Sequence, residues 1–165
     1  MANQAITARV ESLLTSEHFD EAVRATIVAL GDDALDALTD IASDTRASGE
    51  RRLMKSRAIL ALADWPDRAG ALDTLAAVID QSDTNDRLRA TIALGEMGTD
   101  AAVQQLSAFA ERADNDIERL SIVRALQASP AESARYALTA MQAQPLSAAV
   151  QAEIAAALDE ITQGH

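Results

Sequence analysis

The chain has 165 residues, 48% of them hydrophobic but only 2% aromatic, with no cysteine, two histidines and a formal net charge of −12. Disulfides and thiolate zinc sites are excluded, and the acidic balance argues against general binding to phosphate backbones, so nucleic acid is not an expected partner. The apolar residues are mainly Ala, Leu, Ile and Val, the three prolines and most of the six glycines fall between periodic segments, and the expected class is all-α.

Helical periodicity and the punctuation between segments predict ten helices, over 4–15, 18–30, 33–44, 50–64, 67–80, 85–97, 100–112, 116–128, 131–143 and 147–161. The tight turns Gly31-Asp32-Asp33, Trp65-Pro66-Asp67, Gly98-Thr99-Asp100 and Ser129-Pro130 supply Gly after a helix end or Pro and Asp at a helix start. Longer polar loops, 43–50, 81–86 and 113–116, alternate with them. No linker or low-complexity stretch divides the chain, and a single domain over 1–165 is the simplest organisation.

The dipeptide Ala-Leu recurs every 32 residues, ending at Leu30, Leu62, Leu94, Leu126 and Leu158. A fixed period of this size marks stacked copies of one supersecondary unit. Laid out in rows of 32, the column four before Leu reads Thr26, Ala58, Ala90, Ile122, Ile154. The column three before reads Ile27, Ile59, Thr91, Val123, Ala155. With the Ala and Leu columns they form one arc of a helix, and a small residue in every row suits close approach of neighbouring helices.

Row three reads Arg87-x-x-Ala90-x-x-Ala93-Leu94-Gly95-x-x-Gly98-x-x-Ala101-x-Val103-x-x-Leu106. This resembles the HEAT-like repeat of phycobilisome-lyase-like proteins. Row two follows it more loosely, with Lys55 for Arg and Ala63 for Gly; row four keeps Arg119, Ile122, Ala125 and Leu126; rows one and five keep mainly the Ala-Leu. The resemblance implies a right-handed α-solenoid of about five antiparallel helix pairs, a HEAT-like or armadillo-type superhelix. It also implies that the Ala-Leu helices line the concave side.

The basic residues Lys55, Arg87 and Arg119 also stand 32 apart. In HEAT-like repeats the equivalent Arg joins an acid of a neighbouring row, and Glu50, Asp83, Asp114 and Asp116 are candidate partners. Two readings stay open: an internal ladder or a basic stripe for a partner. On the concave side, the arc opposite the core carries Glu21, Arg57, Asp64, Asn85, Arg89, Glu96, Ser121, Arg124 and Glu153. A surface mixing both signs suits a polar protein partner selected by charge pairing, although a merely solvated face would look the same. Arg57 and Arg89, one row apart, are the candidate anchors, because arginine pairs bidentately with carboxylates. Trp65 is either a core residue or an exposed anchor, and His18 falls near the start of the second helix as a cap or a solvated residue.

Nothing in the sequence assembles a reactive centre. There is no GxSxG elbow, phosphate-binding glycine loop or HExxH motif, and neither His18 nor His165 has a relay partner at a familiar spacing. Asp32, Asp33 and Asp36 are explained more cheaply as helix-capping acids than as cation ligands. The expectation is a non-catalytic scaffold that binds another protein, without cofactor or metal, as a monomer or weak dimer. The resemblance implies one alternative, an accessory subunit of a phycobilisome bilin lyase-like enzyme. The HEAT-like DNA glycosylases, whose concave face is basic and aromatic, are a poor fit. The N-terminus lacks the basic and apolar regions of a signal peptide and no stretch is apolar enough to span a membrane, so a cytoplasmic location is expected.

Overall fold

The computed structural model describes residues 3–81 and 83–163; His165 lies outside them. Among the described residues there are ten α-helices and one short 3-10 turn. They are α1 (Gln4–Leu14), α2 (Glu21–Val28), α3 (Asp32–Ala42), α4 (Glu50–Ala61, continued by the turn Leu62–Asp64) and α5 (Ala69–Ile79). The others are α6 (Thr84–Met97), α7 (Asp100–Arg112), α8 (Asp116–Ala128), α9 (Ser133–Gln142) and α10 (Ala148–Gln163). All ten expected helices are present, and the class is all-α.

The helices divide between two compact units, residues 1–93 and 94–165, with the boundary inside α6. In the first, α1 packs on α3 and α3 on α5, while α4 packs on both α3 and α1. In the second, α7 packs on α9 and α8 on α10, with α8 also against α7 and α9. The first unit thus has a layer of odd-numbered helices, and the second has both an odd-numbered and an even-numbered layer, as stacked helix pairs require. Leu14, Ile27, Leu38, Ile59, Leu62 and Leu75 are fully buried in the first; Leu94, Leu106, Phe109, Ile122, Leu126 and Leu138 are fully buried in the second.

Local chemistry sets the helix ends. The side chains of Asp20, Thr99 and Asn115 accept from the N–H groups of Val23, Ala102 and Glu118, capping α2, α7 and α8. Gly31 and Gly98 have φ of 78° and 64°, the left-handed conformation that ends the preceding helix at low cost. Gly95 serves a different need. A Cβ there would stand 2.7 Å from the Ala125 carbonyl oxygen and 2.9 Å from its Cα, so α6 and α8 touch backbone to backbone. That contact explains the small residues of row three and the Ala column of row four.

The Ala-Leu columns are not equivalent in all five rows. Ala61, Leu62, Ala93, Leu94, Ala125 and Leu126 are buried, but Ala29 is exposed and Leu30 half-buried. The expected second helix over 18–30 is shorter: Asp20 caps it, Val28 ends it, and Ile27 is its buried residue. Ala29 and Leu30 belong to the turn into α3, and His18 is an exposed residue ahead of the cap. In row five Ala157 is buried and Leu158 half-buried.

Candidate interaction surface

The basic column is internal in the first unit. Lys55, 3% exposed, places its ammonium 2.9 Å from the buried carboxylate of Asp86 and donates to Gln81 Oε1 at 2.9 Å. Beside it Arg52 pairs with Asp83, whose carboxylate also accepts from the Asp86 N–H at 3.0 Å. That backbone bond, and then the Arg52 guanidinium, hold the Asp83 carboxyl below its ordinary value. A polar cleft of about 340 Å³ surrounds these groups, bordered on the other side by Asp44. The Arg46 N–H, foremost, and the Arg51 guanidinium lower the Asp44 carboxyl in turn.

The acid that Lys55 meets is therefore Asp86, not Glu50 or Asp83. The sequence does carry a signal for it. Asp86 and Glu118 both stand one residue before the basic column, 32 residues apart, and both are buried. In row five the same position is Val150, and Arg119 turns back within its own row to the Ala113 carbonyl at 2.8 Å and Asp116 at 3.5 Å.

Among the candidate face residues of the first unit, Arg57 is committed to the fold. Its guanidinium donates to the carbonyls of Leu14 and Ser16, both at 2.7 Å, and lies 5.3 Å from the Phe19 ring centroid. It closes the C-terminal end of α1, where orphan carbonyls need donors. These bonds give Arg57 a structural role beside its place among the candidate anchors. Asp64 receives two bonds from Arg24, at 2.7 and 2.8 Å, tying α2 to the end of α4. Arg89 is half-buried and lies 3.7 Å from Asp86. Glu21 and Asn85 are exposed near the starts of α2 and α6.

In the second unit Arg124 pairs with Glu153 at 3.0 Å, Glu96 is exposed and Ser121 half-buried. A cleft of about 730 Å³ there lies between the Ser129–Glu132 segment, α9 and the end of α10, beside the exposed Tyr136. Trp65 is buried, which places it in the core.

The arc is more apolar than expected. Of the five exposed large hydrophobics among the described residues, Val28, Leu53, Ile92 and Ile117 lie on α2, α4, α6 and α8. They occupy the same columns as the polar candidates: Glu21, Leu53, Asn85, Ile117 form one, and Val28, Leu60, Ile92, Arg124 another. Periodicity assigns large apolar residues to the core by default, so exposure on this side was missed.

Among the described residues no group of three or more His, Cys, Asp or Glu is placed to hold a metal ion, and no helix is long and apolar enough to cross a membrane. No curated protein matches the chain. A family model for HEAT repeats matches residues 46–127, from the loop before α4 through α8, and describes the repeat in general without reaching the phycobilisome-lyase-like subtype. Residues 46–127 are HEAT repeats, and the chain is a HEAT-repeat protein.

Proposed function

We propose that the protein is a non-catalytic scaffold that binds another polypeptide on the face of its even-numbered helices, the side expected to be concave. HEAT repeats are commonly protein-interaction scaffolds, and the family is generally non-catalytic. The observation that carries the reading here is that exposed apolar side chains fall on even-numbered helices in each unit: Val28, Leu53 and Ile92, with Asn85 and Arg89, in residues 1–93, and Ile117, with Ser121 and Arg124, in residues 94–165. Protein interfaces combine an apolar centre with arginine and a polar rim, and exposed apolar groups cost solubility unless something covers them.

Quantitative pull-down with mass spectrometry tests the reading, comparing the native chain with Ile92→Asp and Ile117→Asp. Both substitutions fall on exposed helix positions and should leave the helical circular dichroism unchanged. The reading expects a partner enriched by the native chain and depleted by at least one variant. Equal recovery by all three chains contradicts it.

A further inference from the structure

Lys55 is the only lysine of the sequence; the other thirteen of its 14 Lys and Arg residues are arginines. Arg9, Arg46, Arg51, Arg68, Arg124 and Arg135 are exposed, whereas Lys55 is 3% exposed. The folded chain therefore shows solvent several guanidinium groups and almost nothing of its one side-chain amine.

That amine is held from two sides. Its Nζ lies 2.9 Å from Oδ2 of the buried Asp86 and donates to Gln81 Oε1 at 2.9 Å. Arg52, three residues earlier on α4, pairs with Asp83. Both ion pairs join α4 to the segment 81–86, so freeing the amine means parting α4 from that segment. Lys55 borders the polar cleft there, yet its side chain remains 4% exposed.

We propose that Lys55 is a conformationally gated acylation site. It takes an acyl group from a carboxyl activated as a thioester only in molecules whose 1–93 unit has opened, and the acyl group then keeps that unit open.

Chemistry sets the gate. The Nζ lone pair attacks the acyl carbonyl carbon, a C–N bond forms, the C–S bond breaks, and the thiolate leaves with the electron pair while the amine proton passes to solvent. Attack needs a free lone pair and room for a tetrahedral carbon at Nζ. The folded chain gives neither, because the ammonium protons are engaged by Asp86 and Gln81 in a buried position. The exposed arginines do not substitute for it, since a guanidinium stays protonated and delocalised.

The ion pair sets the trap. An acylated lysine carries no charge. On closing, Asp86 would be buried again with Arg89, 3.7 Å away and more than a third exposed, as its remaining cation. A buried carboxylate that has lost its partner disfavours closure by about a hundredfold or more. Acylation thus records that residues 1–93 have opened.

The test treats the full chain with the N-hydroxysuccinimide ester of acetic acid in rising urea and follows each labelled peptide by mass spectrometry. Arg9→Lys, exposed on α1, supplies a reference amine in the same unit. Labelling slower than reclosing tracks the population of the open form. Without urea, Lys55 should react more than about tenfold more slowly than position 9, and the two rates should converge along the Trp65 fluorescence transition. A difference below about tenfold, or a Lys55 rate that ignores that transition, overturns the gate. For the trap, acetyllysine is encoded at position 55. The urea midpoint should fall, and adding Asp86→Asn should raise it again, which the bulk of the acetyl group alone would not allow. A native midpoint, or no recovery with Asp86→Asn, overturns the trap.

Discussion

Lys55→Met separates an internal ladder from a binding stripe. The substitution keeps an unbranched side chain of similar length and removes the ammonium. Asp86 then sits with a side chain 1% exposed and its closest cation gone, while Arg89 remains 3.7 Å away and more than a third exposed. Breaking a buried ion pair from one side costs about 3–5 kcal/mol. For a chain of this length that corresponds to a fall in Tm of about 6–20 °C, at about 2–4 °C per kcal/mol. Replacing both partners, as Lys55→Met with Asp86→Leu, removes the uncompensated charge and should return stability to within about 1 kcal/mol of the native chain. Urea unfolding followed by the fluorescence of Trp65, the one tryptophan and buried within residues 1–93, reads this unit. A loss below about 1 kcal/mol for Lys55→Met would refute the ladder, because a pair with buried partners cannot be broken so cheaply.

Other perturbations address separate parts of the account. Arg57→Glu removes both donors from the end of α1 and should cost about 1.5–3 kcal/mol, the scale of charge-assisted hydrogen bonds, in the same urea assay. An unchanged midpoint would return Arg57 to a purely external role. Gly95→Ala should destabilise by about 1–3 kcal/mol because its Cβ meets the Ala125 backbone. Gly70→Ala, on α5 with open space around it, should stabilise by up to about 1 kcal/mol, and thermal melts of the two should shift in opposite directions. The Asp83 carboxyl is held below 3.8, so the unfolded chain binds the extra proton. Its contribution is complete above that value and disappears as the pH falls through the lower folded value. Asp83→Asn should therefore flatten the acid limb of a stability–pH profile below about pH 4, and an unchanged limb would discount the Arg52–Asp83 pair.

The helices were legible because each repeats a pattern with its own punctuation: the 32-residue Ala-Leu, the caps at Asp20 and Thr99, and the glycines at 31 and 98. Gly95 was visible as a member of a repeat pattern, and its reason, contact with Ala125, is a tertiary fact. The ladder was legible as a basic column but not in its partners. The expected partners Glu50, Asp83, Asp114 and Asp116 lie at or just before helix starts, whereas Asp86 sits within α6 next to Arg87. The structural bonds of Arg57 were not legible for a physical reason: its acceptors are carbonyls more than 40 residues away, and any residue supplies a carbonyl, so no side-chain pattern records them. Leu53, Ile92 and Ile117 were passed over because hydrophobicity alone does not distinguish a core residue from an exposed contact.

Another polypeptide is expected to cover the exposed sides of the even-numbered helices in each unit. Hydrogen–deuterium exchange on the protein with and without the partner recovered by pull-down tests it most directly. The account predicts that protection on binding is confined to α2, α4, α6 and α8, strongest in the peptides containing Leu60 and Ile92. Protection concentrated in α3, α5, α7 and α9 would contradict it.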